Sequence, residues 1–548
     1  MLNMNRLIVL TALLLLLFCP SLSALPPLIV TGWDSPNPAE FRQNVAEFEK
    51  WGVFDGTTIK PTRRVAGVGV VDANNGFSRE SWQWSEFAEA LADLRAAKRT
   101  TCRETFIMLY ANPGDVDWFD DEGWREVVNH WRLLARLAKE GGLRGLLYDA
   151  EPYTKPYSQF RYSSQQGRAR HSFSEYRAKA RERGREVMRA VVEEFPAATI
   201  FCYRLFSDML PLLDSGDLTR ALEGNTYGLQ PSFVDGWMDA VPLGLVMIEG
   251  TEDIGYRANS PAEYQAAFTR QRLRLPEFVA PENRERFARQ LRIGQSLYLD
   301  AHINAPGDGW YIDRTGSSSA GRLAANLASA LSASDGLVWL YGEQARWWPG
   351  GNKSSITWAQ ALPGAITAVR RAKDPAGFAR GLFAEGKARK NLLYNGDFSE
   401  VADTNGPPKE WFIWQAENSH GLITCADGHV SMGNVLDGVV GYSVKTKPGT
   451  ILALRLRVRS KGFGQGFLAI GWKTMDGNWT ASPRNVHLFP TGPASPEGWL
   501  EITGLVEAPD TSGQVVFMAS ASSQLSAGDR CEFDDAELVE VPHDMELP

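Results

Sequence analysis

Short apolar segments alternate with amphipathic ones through the first two thirds of the chain. The clearest helical segment is Trp124–Glu140, where apolar residues recur every three or four positions. Ser174–Phe195 has the same period, and Ser174 is suited to cap it. Between the helical segments, short apolar runs predict strands at Leu28–Trp33, Val65–Val71, Thr105–Tyr110, Leu143–Asp149, Thr199–Phe206, Gly244–Glu249, Ile293–Asp300 and Gly336–Tyr341.

This alternation predicts an α/β fold, a (β/α)8 TIM barrel over residues 25–385. A doubly wound open sheet is the alternative. Such a sheet usually carries a glycine-rich phosphate-binding loop after its first strand, and Thr31-Gly32-Trp33-Asp34 is not such a loop.

The pattern changes near residues 384–391, where the helical period disappears. Beyond that point short strands such as Ile451–Val458 and Gln514–Ala519 are separated by Gly, Asn and Pro turns. We therefore predict an all-β jelly-roll sandwich over residues 391–545.

The first 24 residues have the pattern of a secretory signal peptide. Arg6 precedes an apolar run from Leu7 to Phe18, and small residues end the segment at Ser23 and Ala24. That run is shorter than the ~20 residues that span a bilayer. We expect a secreted protein, extracellular or periplasmic, with no membrane attachment after cleavage.

Composition narrows the functional classes. The 548 residues carry a net charge of −8 without a basic cluster, which argues against binding nucleic acid. The seven histidines show no metal-ligand spacing, and no GxSxG, HExxH or P-loop motif is present. Cys425 and Cys531 could pair in an oxidising compartment, and buried free thiols are the alternative.

Strand ends carry the candidate chemistry, because barrel active sites lie at the carboxyl ends of the strands. Asp149 and Glu151 alternate on one face at the end of the fourth predicted strand. Repulsion between two such carboxylates raises one pKa, which suits a general acid. We predict Glu151 as acid/base and Asp149 as its electrostatic partner. The alternative is a structural ion pair with Arg144, Arg204 or Arg292.

Glycoside hydrolysis requires a second carboxyl group. Glu343 follows the eighth predicted strand and Glu249 ends the sixth, so either is a candidate nucleophile or base, and Asp300 is a third candidate.

Aromatic and polar residues at the strand ends are candidates for sugar binding. Sugar rings stack on indole and phenol rings while their hydroxyls meet polar groups. The predicted substrate-binding residues are Trp33, Asp34, Asp72, Tyr110, Asn112, Tyr153, Tyr203, Asp300, His302, Trp339, Tyr341 and Trp347.

A barrel with acidic strand ends resembles the (β/α)8 glycoside hydrolases. Gly145–Tyr153 resembles the fourth-strand motif of the chitinase and endo-β-N-acetylglucosaminidase group, which implies that Glu151 is the acid and that Asp149 assists the substrate's acetamido group. Arg144 and Leu147 stand where that group has two further aspartates, and Met247–Gly250 replaces its Met-x-Tyr-Asp. A mechanism with two carboxylates is therefore favoured.

The C-terminal region is similar to jelly-roll carbohydrate-binding modules. Asn391–Phe398, followed by Trp411, resembles their opening strand, and Phe533–Leu538 resembles their closing strand. The resemblance implies a structural calcium ion at Asp397 and Asp535 and sugar stacking by some of Trp411, Trp414, Trp472 and Trp479. The same opening also occurs in sandwich domains that bind no sugar.

Together these features predict a secreted glycoside hydrolase that cleaves O-glycosidic bonds of a poly- or oligosaccharide without a catalytic cofactor. The alternatives are a non-catalytic glycan-binding protein on a degenerate barrel and a carbohydrate lyase on the same scaffold.

Overall fold

The computed structural model describes residues 25–154, 157–313, 318–350, 354–385, 389–402, 406–480, 485–509 and 511–542. The predicted signal peptide, residues 1–24, lies outside this part. Contacts divide the chain into two compact units. The first unit runs to Ile312 and also includes Asn326–Thr357, and the second contains Asp313–Ala325 and the chain from Trp358 onward. Within the described ranges, no helix is long and apolar enough to cross a membrane.

The first unit is built on a parallel sheet that curls into a nearly closed barrel. Its sheet order is β10-β9-β8-β7-β6-β2-β1-β12-β11, with β5 paired to β6. Only Gly294 separates β10 from β11, and these strands pair with β9 and β12 respectively. The strands are β1 (Leu28–Gly32), β2 (Gly56–Ile59), β3 (Thr62–Val65), β4 (Gly69–Asp72), β5 (Asn75–Phe77), β6 (Glu104–Pro113), β7 (Gly145–Asp149), β8 (Thr199–Cys202), β9 (Val246–Glu249), β10 (Leu291–Ile293), β11 (Gln295–Tyr298) and β12 (Val338–Gly342).

Helices lie between these strands, as the alternating pattern predicts. They are α1 (Pro38–Phe48), α2 (Ala88–Ala96), α3 (Asp121–Glu140), α4 (Phe173–Glu194), α5 (Leu218–Gly224), α6 (Gln230–Met238), α7 (Glu252–Arg257), α8 (Pro261–Arg274), α9 (Arg284–Gln290) and α10 (Ser319–Ser332). The residue that caps α4 is Ser172 rather than Ser174, since its hydroxyl accepts from the Glu175 amide.

The predicted second barrel strand was misplaced. Residues 65–71 belong to an antiparallel hairpin of β3 and β4, and the barrel strand between β1 and β6 is β2. Thr57 and Thr58 of β2 are buried, so the strand is internal without being apolar. Val68 and Val70 are exposed in the hairpin, and their apolar character produced the misleading signal.

The sheet of the first unit has ten strands rather than the eight expected. Part of the difference is the break at Gly294, which divides the predicted strand Ile293–Asp300 between two paired segments and a 3₁₀ turn at Leu299–His302. Alternate residues of the strands fill the interior, including Phe106, Leu147, Phe201 and Trp339.

The second unit is an all-β sandwich, and the part of the chain described before it contains the helices α11 (Trp358–Ala361), α12 (Ala365–Lys373) and α13 (Pro375–Ala384). Two antiparallel sheets, β13-β16-β21-β18-β19 and β14-β15-β22-β17-β20, enclose its core. The strands are β13 (Phe412–Gln415), β14 (Leu422–Ala426), β15 (His429–Gly433), β16 (Asp437–Lys445), β17 (Ile451–Lys461), β18 (Gln465–Lys473), β19 (Val486–Leu488), β20 (Leu500–Glu507), β21 (Gln514–Ser522) and β22 (Arg530–Val541).

Helix α13 belongs to this second unit, because Phe378 and Leu382 pack in one apolar cluster with Ile451 and Val541. The domain limits predicted at residues 385 and 391 stay predictions. Cys102, Cys202, Cys425 and Cys531 are buried free thiols, so Cys425 and Cys531 do not pair.

Candidate functional site

Two carboxylates stand at the carboxyl end of β7, where the sequence predicts them. Asp149 is buried, and its Oδ1 accepts the Glu151 backbone amide at 2.8 Å. The Tyr153 hydroxyl lies 2.6 Å from Asp149 Oδ2 and 3.2 Å from Glu151 Oε2, so both carboxylates contact one phenol. The Glu151 side chain is 35% exposed and remains accessible from solvent.

Asn112 fixes the loop that carries Glu151 and Tyr153. Its side-chain amide donates to the Glu151 carbonyl at 2.8 Å, and its Oδ1 accepts the backbone amides of Tyr153 and Thr154. Asn112 is buried, so it positions the loop and is not itself available to a substrate.

Arg204 follows β8 and lies behind Glu151. Its Nε and Nη2 contact Glu252 Oε2 at 2.8 and 2.7 Å, and its Nη1 contacts Asp208 Oδ2 at 2.6 Å. Nη2 is also 3.7 Å from Glu151 Oε2. Because that nitrogen is near both Glu151 and Glu252, their carboxylates are closer together than the ~9.5 Å upper limit for an inverting glycosidase pair.

Burial raises the pKa of two acids in this group. The pKa of Asp149 rises to about 6, with the Glu151 charge adding to the rise and the Tyr153 hydrogen bond opposing it. Burial also raises the pKa of Glu252 to about 8 against the influence of Arg204. Burial alone would lower the Arg204 pKa, but Glu252 and Asp208 raise it. Arg204 is therefore a permanent cation among several carboxyl groups.

A cleft of about 480 Å³ opens at the carboxyl ends of β1, β6 and β12. Trp33 is 46% exposed and Tyr153 is 57% exposed, so both present aromatic surface to a ligand. Seven of the predicted binding residues line the cleft: Trp33, Asp34, Asp72, Tyr110, Tyr153, Tyr203 and Tyr341.

Two of these lining residues also have structural partners. Asp34 Oδ2 accepts the backbone amides of Trp347 and Trp348 at 2.6 and 3.0 Å, which ties β1 to the segment after β12. The Tyr203 hydroxyl bonds to Thr31, and its ring stacks on Trp339 with 4.5 Å between centroids.

Other predicted binding residues are buried away from the cleft. Trp339 lies beneath Tyr203 and donates to the Gly250 carbonyl, while Trp347 packs against Trp51 and Phe54. His302 is fully buried. Neither Trp339 nor Trp347 offers a ring face to a sugar, because side-chain packing covers both.

Asp300 is a loop-positioning residue rather than a candidate base. It is buried in the 3₁₀ turn after β11, and its two oxygens accept the backbone amides of Glu343 and Gln344. It thereby fixes Glu343, whose half-buried side chain bonds to the cleft residue Tyr341.

Glu249 is also structural. Its side chain is fully buried, Oε2 accepts the backbone amides of Leu205, Phe206 and Ser207, and Oε1 accepts from the Ser207 hydroxyl and the Thr251 amide. A carboxylate bound by five donors and shielded from solvent cannot attack a sugar. Of the predicted partners for Glu151, Glu343 remains.

Sequence reasoning gave no role to Lys60, Asn74 and Glu40, which also line the cleft. Lys60 follows β2, the strand that the apolar pattern missed. Its ammonium group donates to the Trp33 carbonyl at 2.8 Å. The spacing between α1 and β6 could have revealed it, since an α/β barrel requires a strand there.

The sandwich carries aromatic side chains on the outer face of the sheet that contains β13. Of the four predicted stacking tryptophans, Trp411 and Trp472 are core, whereas Trp414 is 51% and Trp479 54% exposed. A Cβ added to Gly441 would lie 2.3 Å from the Phe412 ring, and one added to Gly471 2.6 Å from the Trp479 ring. The two glycines therefore let these rings lie close to the sheet.

The residues predicted for calcium do not fit an ion site. Asp535 Oδ2 is 2.9 Å from Arg457 Nη1, and exposed Asp397 accepts from Ser399. A guanidinium occupies the position where a cation would bind Asp535. Among the described residues, no group of three or more His, Cys, Asp or Glu side chains could hold a metal.

Comparison with known proteins gives only partial similarity. No protein-family profile and no curated protein matches the chain. The enzymatically active domain of tailspike protein 4 from bacteriophage CBA120 is 11% identical over 28% of this chain and 21% of its own, with a TM-score of 0.22.

Carbohydrate-binding modules are also among the similar solved structures. A CBM4 structure is 19% identical over 27% of this chain and 99% of its own, with a TM-score of 0.20. TmCBM61 in complex with β-1,4-galactotriose is 16% identical over 28% of this chain and 99% of its own, also with a TM-score of 0.20. The chain is similar to these modules and to the tailspike domain over about a quarter of its length.

Proposed function

We propose that this protein is a secreted glycoside hydrolase that cleaves O-glycosidic bonds of a poly- or oligosaccharide. The supporting observation is the Asp149–Glu151 pair at the end of β7, joined by the Tyr153 hydroxyl beside an aromatic cleft. In this proposal β10 and β11 form one position of a (β/α)8 barrel, whose carboxyl face holds the active site.

Glu151 is the general acid in this mechanism. Its side chain is about one-third exposed and can approach a glycosidic oxygen, whereas Asp149 is buried. Protonation of the leaving oxygen weakens the bond to the anomeric carbon, where positive charge then develops. Asp149, once ionised, stabilises that charge electrostatically.

Glu343 is our proposed second carboxylate, acting as base or nucleophile. Its bond to Tyr341 places it beside the cleft, and the Asp300 carboxylate holds its backbone amide. We assign Glu252 the different task of holding Arg204, because two of its contacts with that guanidinium are shorter than 3 Å.

Anchoring to an insoluble polymer is the proposed task of the exposed sandwich face around Trp414 and Trp479. Secretion is proposed from residues 1–24, and N-terminal sequencing of protein recovered from culture medium or periplasm tests it.

The hydrolase proposal is tested by incubating wild type and Glu151→Gln with neutral, amino-sugar and uronate polysaccharides and counting new reducing ends. General acid catalysis typically contributes about 100- to 10,000-fold, so we expect a loss of at least about 100-fold. Glu122→Gln is the matched control, since Glu122 is exposed on α3.

Near-normal cleavage by Glu151→Gln would refute the assignment. Binding without cleavage by wild type would indicate a glycan-binding protein, and products with ultraviolet absorbance from a new double bond would indicate a lyase.

A further inference from the structure

We propose that the cleft selects glycans with free amino groups, that is, hexosamine oligomers whose ammonium groups are charged at neutral pH. This inference rests on the proposed function and names the substrate class of the same site. It follows from aromatic faces and unneutralised carboxylates lying together in the cleft.

The aromatic contribution comes from Trp33, Tyr110 and Tyr153. Trp33 and Tyr153 are each about half-exposed, and Tyr110 packs edge-on against Tyr153 with 5.7 Å between centroids. The exposed faces of Trp33 and Tyr153 can stack on a sugar and also attract an adjacent cation through the ring quadrupole. Neutral and cationic sugars both gain from stacking, but only an ammonium group gains from the cation–π term.

The charged lining is predominantly acidic. The described lining contains Asp34, Glu40 and Asp72, whereas Lys60 is its one basic residue. Burial raises the pKa of Asp34, whereas the backbone amides of Trp347 and Trp348 and the Lys60 charge oppose that rise, so Lys60 lies within electrostatic range of Asp34. Arg204 lies behind Glu151 and contacts Glu252 and Asp208 more closely. The described lining therefore keeps an excess of carboxyl groups over basic groups, to which Glu40 and Asp72 contribute.

Asp72 is the residue that discriminates in this proposal. It ends β4 on the hairpin, where it pairs with Thr62 through the backbone, and its exposed side chain makes no hydrogen bond or ion pair with any described residue. Its charge raises the Tyr110 pKa further after the larger contribution of burial, which places the carboxylate within electrostatic range of that ring. An ammonium group there gains a partner, and a uronate is repelled.

The test uses full-length Glu151→Gln, which should bind without turnover. Calorimetry measures its affinity for a glucosamine hexamer, an N-acetylglucosamine hexamer and a galacturonate hexamer at low and high salt. We expect the glucosamine hexamer to bind most tightly and its advantage to shrink at high salt, because the Debye length is about 10 Å at 0.1 M and about 3 Å at 1 M.

Adding Asp72→Asn should lower the preference for the glucosamine over the N-acetylglucosamine hexamer about three- to fivefold, as for loss of one exposed ion pair. Asp72→Lys should lower it further, because a charge of the wrong sign replaces the missing one. Glu122→Gln, at an exposed residue of α3 that is not part of the cleft lining, should leave the ratio unchanged.

Equal binding of the amino and acetylated hexamers, or tighter binding of galacturonate, would overturn the inference. Its failure and that of the hydrolase proposal are distinguishable. Amine-selective binding with no cleavage by wild type would refute only the hydrolase proposal. Cleavage without a preference for amino sugars would refute only the proposed selectivity.

Discussion

At the scale of single residues, Asp149 couples the candidate chemistry to stability. Burial raises its pKa from 3.8 to about 6. Between these values the unfolded chain releases a proton that the folded protein keeps, so raising the pH favours unfolding. The stability contribution is complete below about pH 4 and is lost as pH rises through about 6, an effect of about 3 kcal/mol.

Asp149→Asn should therefore be more stable than wild type at pH 7, with most of that advantage absent at pH 4. Asparagine can still accept the Glu151 amide, and the Tyr153 hydroxyl can rotate to accept from its amide. Urea unfolding at both pH values measures the difference, with exposed Asp476→Asn as the control. An equal difference at pH 4 and pH 7 would show that Asp149 does not titrate abnormally.

At the scale of secondary-structure elements, β2 is the barrel strand that the apolar pattern did not predict. Gly56 allows this strand to lie close to β6. A Cβ at Gly56 would lie 1.7 Å from the Glu104 carbonyl oxygen, and these residues pair in the β2–β6 register. The obstacle is backbone of the neighbouring strand, so relief requires the two strands to separate.

Gly56→Ala should destabilise the protein by about 3 kcal/mol or more. Gly244→Ala is the control, because no atom lies within 4 Å of its added Cβ, and it should change stability by less than about 0.5 kcal/mol. The temperature of the unfolding transition compares the two variants. Similar temperatures for both would mean that β2 does not approach β6 this closely.

The strand pattern located most of the barrel and the Asp149–Glu151 pair, because β1, β6, β7, β9 and β12 are mainly apolar runs with polar residues at or just after their carboxyl ends. The apolar pattern did not reveal β2, because most of the buried residues of that strand are threonine and glycine. It also could not show that the amides of residues 205–207 converge on Glu249, since that contact joins the segment after β8 to the end of β9.

The tryptophans also show that the sequence pattern does not reveal which side chains are packed over a residue. Trp33 and Trp339 both lie at predicted strand ends, yet the first is exposed in the cleft and the second is fully buried. Whether a ligand can reach a ring depends on the side chains packed over it. The periodicity of one strand does not predict those neighbours, because they come from other parts of the chain.

At the scale of the whole molecule, the chain combines a candidate catalytic cleft in one unit with an aromatic sheet face in the other. Exposed aromatic surface is a recurrent feature of binding sites, because burying it from water stabilises a complex. Trp414 and Trp479 are about half-exposed, so their removal costs little folding stability, in contrast to core Trp472.

The double variant Trp414→Ala/Trp479→Ala should consequently lose adsorption to insoluble, partially deacetylated chitin. Where an aromatic side chain stacks on a nucleic-acid base, its replacement by alanine typically costs about 1–3 kcal/mol of binding free energy. By analogy with that stacking, the adsorption constant of the double variant should fall at least about tenfold. Phe463→Ala, at another exposed aromatic of the sandwich, is the control for general loss of apolar surface.

Pull-down isotherms measure adsorption, and circular dichroism verifies that both variants remain folded. Adsorption equal to wild type in the folded double variant would exclude this face as the anchor and leave the barrel cleft as the remaining candidate for polymer binding.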